Sequence, residues 1–129
     1  MRKLIFLLLF SSLALALPSP AGKYSGTWTG ASSDGGIKIE LVKSADAADW
    51  DAHVSFTMAG QEVKCKTASV KVDSGKVELV YDFTLGGDVQ LRSTATGKID
   101  GANMEGDYHT AAPDGTRVDQ GTWKVSLEK

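Results

Sequence analysis

The chain has a single cysteine, Cys65, so no intramolecular disulfide can staple it. Two histidines, His53 and His109, are too few for a histidine-built metal centre. No stretch offers the three or four converging ligands that zinc requires, and no phosphate loop or nucleophile elbow is present. Positive charge is not in surplus: 14 basic residues face 16 acidic ones. A mildly acidic chain without a basic stripe has no electrostatic footprint for nucleic acid or an anionic membrane. From Tyr24 onward there is also no helical period. These absences leave a small β-rich domain, too short at 129 residues to be two.

The one long apolar run is at the beginning. Arg2 and Lys3 precede an apolar stretch over residues 4–15, and Ala14-Leu15-Ala16 places small residues where a signal peptidase cuts. The run is shorter than the roughly 20 residues of a membrane span, and Pro18 and Pro20 follow it. The expectation is a signal peptide over residues 1–16, a linker over 17–22, a barrel domain over 23–129, and a secreted or periplasmic location. Removing residues 1–16 takes Arg2 and Lys3 from the 14 basic residues, leaving 12 against 16 acidic ones and a net charge of −4.

The remainder alternates with period two between glycine-containing turns, the pattern of half-buried antiparallel strands. Strand one, 24–30, puts Tyr24, Gly26, Trp28 and Gly30 on one face. Strand two carries Ile37, Ile39 and Leu41 inward; strand three, 50–57, carries Trp50, Ala52, Val54 and Phe56. Strand four, 61–72, begins with Val63 and Cys65 inward and ends with Val70 and Val72 inward, a phase slip near Thr67-Ala68 that predicts a β-bulge. After an Asp73-Ser74-Gly75 hairpin loop, strand five presents Val77, Leu79, Tyr81 and Phe83. Strand six, 88–98, presents Val89, Leu91, Ser93, Ala95 and Gly97; strand seven, 103–110, presents Met104, Gly106 and Tyr108. Strand eight, 116–127, presents Gly121, Trp123, Val125 and Leu127.

Six of the seven connections contain glycine; the exception is residues 44–49. Short connections make each strand antiparallel to the last, and an even number lets the first and last strands pair and close the sheet. The paired Gly-Thr-Trp triplets at 26–28 and 121–123 mark that seam. The fold class is therefore all-β, an antiparallel up-and-down eight-stranded β-barrel, with a flattened β-sandwich of the same strands as the alternative.

A secreted chain opening with Gly-x-Trp and continuing as an eight-strand meander resembles the calycin barrels: lipocalins, fatty-acid-binding proteins and avidins. Gly26-Thr27-Trp28 followed by Gly35-Gly36-Ile37 is most similar to the start of an avidin-type barrel. The resemblance implies a ligand held inside the barrel. It does not carry biotin over, because Gly30 stands where avidins place an Asn, and Ser32 and Ser33 are out of register with their turn serine. Lipocalins pair the first-strand Trp with a last-strand Arg, whereas Arg117 lies at the very start of strand eight.

Two functions follow. In the first, an exported barrel binds a small apolar or aromatic molecule between large inward residues (Trp28, Phe56, Tyr81, Tyr108, Trp123) and small ones (Gly26, Ser93, Ala95, Gly97, Gly106). The ligand-binding residues are then Trp28, Tyr81, Ser93, Tyr108 and Trp123, with open space beside Ala95. In the second, the core is solid and the protein is an interaction module without a small-molecule ligand. Catalysis is not expected: Asp51-x-His53 and Asp107-Tyr108-His109 place their charged members on the outward, wet face. Cys65 reads as a small buried hydrophobe whose neighbours Lys64 and Lys66 point away. No catalytic residue, metal or cofactor is assigned, and no nucleic-acid or membrane partner of the processed chain.

Overall fold

The computed structural model describes residues 20–43 and 50–128. The expected signal peptide, the start at Leu17 and the 44–49 connection lie outside the described residues. Among the described residues nine strands make up a single sheet: β1 (Gly22–Gly30), β2 (Asp34–Lys43), β3 (Trp50–Met58), β4 (Gln61–Lys64), β5 (Lys66–Asp73), β6 (Lys76–Leu85), β7 (Val89–Asp100), β8 (Asn103–Ala111) and β9 (Arg117–Leu127). Their order, β4-β3-β2-β1-β9-β8-β7-β6-β5, is an antiparallel up-and-down meander rolled into a nearly closed barrel. The alternation seen in the sequence sets the faces. On β6, for instance, Val77, Leu79, Tyr81 and Phe83 are buried, and the residues between them are not.

The first and last strands pair as their matching triplets imply, with Trp28 directly opposite Trp123. The count of eight needs one correction. Strand four is broken at Cys65: its first part, β4, pairs with β3, and its second part, β5, pairs with β6. One straight strand cannot hold both partners at the tilt that closure demands, so the chain changes neighbour at Cys65. The Cys65 N–H donates to the Val54 carbonyl at 3.0 Å, and the Thr67 hydroxyl donates to the Ala52 carbonyl, bridging β3 and β5 there. The bulge lies where the phase slips: Thr67 faces Tyr81 and Ser69 faces Val80, leaving Ala68 extra.

Two more local readings change. Asp73 pairs with Lys76, so the hairpin loop is the two residues Ser74 and Gly75, both at positive φ (47° and 81°). That is the primed-turn geometry that suits the right-handed twist of a hairpin. At the strand ends Val89 and Leu127 share the inner parity, yet they are 53% and 40% exposed because no opposite wall covers the rim.

The core is unevenly filled. Tyr24, Ile39, Leu41, Leu79 and Met104 are the largest fully buried side chains, and Ala52, Val54, Ala95 and Val125 pack with them. None of these nine lines the internal cavity, so one half of the barrel is solid. The inward glycines do not hollow it out. A Cβ on Gly106 would overlap the Thr96 carbonyl of the neighbouring strand, and one on Gly97 would lie 2.7 Å from Cζ2 of Trp123. Gly97 and Gly106 face each other across β7 and β8. They permit a backbone approach that any side chain would prevent, a common device of curved sheets.

Candidate functional site

The other half of the barrel is open. A cavity of about 310 Å³ lies between the walls formed by β1–β3 on one side and β6–β9 on the other. Its size falls at the lower end of ordinary ligand sites. It is about twice the ~150 Å³ at which an engineered apolar cavity accommodates benzene.

The wall is mainly aromatic and aliphatic. Trp28, Phe56, Phe83 and Tyr108 form a run of edge-to-face contacts: Trp28–Phe56 at 5.9 Å, Trp28–Tyr108 at 6.2 Å and Phe56–Phe83 at 4.9 Å between ring centres. Tyr81 and Trp123 complete the aromatic lining, with Ile37, Met58, Leu85 and Leu91 beside them. The indoles are anchored from behind. Trp28 Nε1–H donates to the Thr57 carbonyl and Trp123 Nε1–H to the Asp107 carbonyl, each at 3.1 Å. These bonds satisfy the only polar atom of each ring, leaving the π-faces for packing.

The polar groups form two clusters. Inside, the Ser93 and Thr110 hydroxyls, 2% and 4% exposed, are hydrogen-bonded to each other at 2.5 Å across β7 and β8. At the rim the Tyr108 hydroxyl donates to Asp119 Oδ2 at 2.7 Å, and the Ala31 N–H donates to Asp119 Oδ1 at 3.1 Å. The exposed Ser32 and Ser33, from the β1–β2 turn, border the same opening.

Burial raises the Tyr108 hydroxyl well above its usual range, and the hydrogen bond to the Asp119 carboxylate and its charge push the same way. Burial also raises Tyr81, assisted by the charge of Cys65 and opposed by hydrogen bonding with Ser93. Both phenols therefore stay neutral in any ordinary buffer.

All five residues expected to contact a ligand (Trp28, Tyr81, Ser93, Tyr108 and Trp123) are brought to this one cavity. Ala95 is not among its lining residues; it is 1% exposed and sits in the solid half, opposite Leu79 and Tyr108. The sequence reading did not single out Asp119. Thr110 faces Asp119, whereas Ala111 faces Arg117, so Val118 is an extra residue on β9. This bulge leaves Val118 52% exposed at the cavity mouth, while Asp119, on its C-terminal side, keeps the inward parity of Gly121. Counting back by twos from Trp123 would have reached Asp119, a signal hidden by its charge.

The remaining candidates stand apart. His53, Asp51 and Asp107 are exposed and His109 is half-buried; none lines the cavity. Among the described residues no group of three or more His, Cys, Asp or Glu side chains is placed to hold a metal. Cys65 is half-buried on the seam, and burial, aided by the charge of Asp82, pushes its thiol up to about 12. That is the reverse of an activated thiolate. A broader hollow outside the β4–β6 seam is bordered largely by exposed polar side chains, including Gln61, Lys64, Lys66, Gln90 and Arg92.

The fold and site thus define a small antiparallel β-barrel, half solid and half hollow, with an aromatic cavity at one end. Comparison with protein-family models, curated proteins and solved structures returned no match to this chain.

Proposed function

We propose that this is an exported, secreted or periplasmic barrel that binds one small apolar or aromatic molecule in the open half of its interior. The observation that carries the reading is the cavity of about 310 Å³, walled by Trp28, Phe56, Tyr81, Phe83, Tyr108 and Trp123 and furnished with two small polar clusters. An apolar lining with a few placed polar groups is how small-molecule sites are commonly built. A solid-core interaction module has no use for this hollow, which would forfeit packing contacts for nothing. The outer face carries charged residues such as Lys38, Asp51 and Lys124, the opposite of the apolar belt of a membrane barrel.

The likeness to calycin barrels supports the same reading at the level of architecture, with the ligand inside the barrel. Biotin is not the proposed ligand. A Cβ at Gly30 would come within 2.6 Å of Asp119 Oδ2, so the Tyr108–Asp119 pair occupies the place of a side chain there. The reading assigns no catalytic step and no cofactor.

The test uses intrinsic fluorescence, because Trp28 and Trp123 both face the cavity. The protein is titrated with a panel of one- and two-ring aromatic compounds, retinoids, flavonoids and fatty acids. Saturable quenching by at least one class, lost in Leu91→Trp, supports the proposal. The absence of saturable binding by every class, checked by calorimetry, refutes it.

A further inference from the structure

The charge pattern of the cavity says more than its size. Among the described residues its lining contains one carboxylate, Asp119, and no lysine, arginine or histidine. Asp119 is already oriented: Oδ1 accepts the Ala31 N–H and Oδ2 accepts the Tyr108 hydroxyl. A carboxylate offers about four lone-pair sites, so acceptor capacity remains for a ligand donor. The Tyr108 ring, whose hydroxyl reaches Asp119, lies 6.2 Å from the Trp28 ring and at 88° to it, and both rings line the same cavity. Aromatic faces attract cations within about 6 Å.

Resting on the binding role proposed above, we infer that the ligand is a small aromatic or apolar amine, its ammonium group meeting Asp119 at the rim and its hydrocarbon body lying among the rings. A ligand carboxylate would enter a partly desolvated space with no opposite charge to meet it and a like charge at the mouth, a costly placement. Fatty acids, retinoic acid and other anions are excluded on that ground, although calycin-like barrels invite such ligands. The volume sets the scale at one or two rings.

A matched series tests this with the full protein. 2-(2-Naphthyl)ethylamine, 2-naphthaleneethanol and 2-naphthylacetate share a body and differ in charge. Calorimetry at pH 7 and low salt should rank amine, then alcohol, then carboxylate, with at least a tenfold gap between the first and last. Asp119→Asn should weaken the amine about tenfold, bringing it to the level of the alcohol, and leave the alcohol unchanged. Asp114→Asn, on an exposed turn outside the cavity, controls for the acidity of the whole surface and should change nothing.

A carboxylate that binds as tightly as the amine overturns the inference while the binding role stands. So does an amine preference that survives Asp119→Asn or is lost equally in Asp114→Asn. Failure of all three compounds to bind overturns the inference together with the role beneath it. Even if Asp119→Asn folds poorly, a wild-type ranking that does not put the amine ahead of the carboxylate overturns the inference.

Discussion

Replacing Ala95 with Leu and Leu91 with Trp separates the two halves of the barrel. Ala95 is 1% exposed, faces Leu79 and Tyr108 on the strands either side, and does not line the cavity. The longer side chain must displace packed neighbours, at a cost of about 1–3 kcal/mol. With a urea m-value of about 1–3 kcal/mol/M, the midpoint should fall by about 1 M with m unchanged. Leu91 is half-buried and lines the hollow. A tryptophan there enters open space, and its stability should stay within about 1 kcal/mol of wild type, since no filled volume is invaded. Ligand binding should respond in the opposite order: lost in Leu91→Trp, retained in Ala95→Leu. Urea melts followed by circular dichroism, beside fluorescence titrations, measure both. A neutral Ala95→Leu or a strongly destabilised Leu91→Trp would refute the division into solid and hollow halves.

Three further outcomes are expected. Ser93→Ala leaves the buried Thr110 hydroxyl without its 2.5 Å partner and should cost about 1–3 kcal/mol, whereas the double change with Thr110→Val should recover much of that loss; additive losses in the melts would deny the coupling. Gly106→Ala drives a Cβ into the Thr96 carbonyl and should cost about 3 kcal/mol or more, so a thermal midpoint like that of wild type would show that β7 and β8 do not approach this closely. Stability should also fall in alkali. Cys65 is raised from 9.0 to about 12, and Tyr24, Tyr81 and Tyr108 are raised above 10.0. The fold holds these protons more tightly than the unfolded chain does. Their contribution is therefore complete below about pH 9 and lost as pH rises toward 12. The loss should be smaller in Tyr108→Phe, and a urea midpoint flat from pH 8 to 11 would contradict the burial of these groups.

Much of the architecture was legible in the residues themselves. A side-chain period of two is a property of any strand, so alternation alone identified which of Tyr81, Ser93, Tyr108 and Trp123 face inward. The phase change between Cys65 and Val70 located a bulge near Thr67-Ala68, because one extra residue inverts the parity of all that follow. The matched Gly-Thr-Trp triplets marked the first and last strands as neighbours, and the structure sets Trp28 opposite Trp123. Parity, however, carries no information about depth. Whether an inward position lies in the solid half or the hollow half depends on what the opposite wall supplies, and Ala95 and Ser93 differ in that respect alone. Nor does composition reveal what a glycine is for. Gly97 and Gly106 look like space-makers in the chain, but the structure uses them to bring two backbones together. The break at Cys65 and the two-residue loop at Ser74-Gly75 follow from strand tilt and twist, which are properties of the closed sheet. Asp119 is the clearest case: alternation with Gly121 and Trp123 gives it the inward parity, its charge argues for solvent, and the Tyr108 hydroxyl and Ala31 N–H that its carboxylate accepts hold it at the cavity rim. Local alternation determined the strands and their faces, while closure of the barrel decided which faces meet and where they leave room.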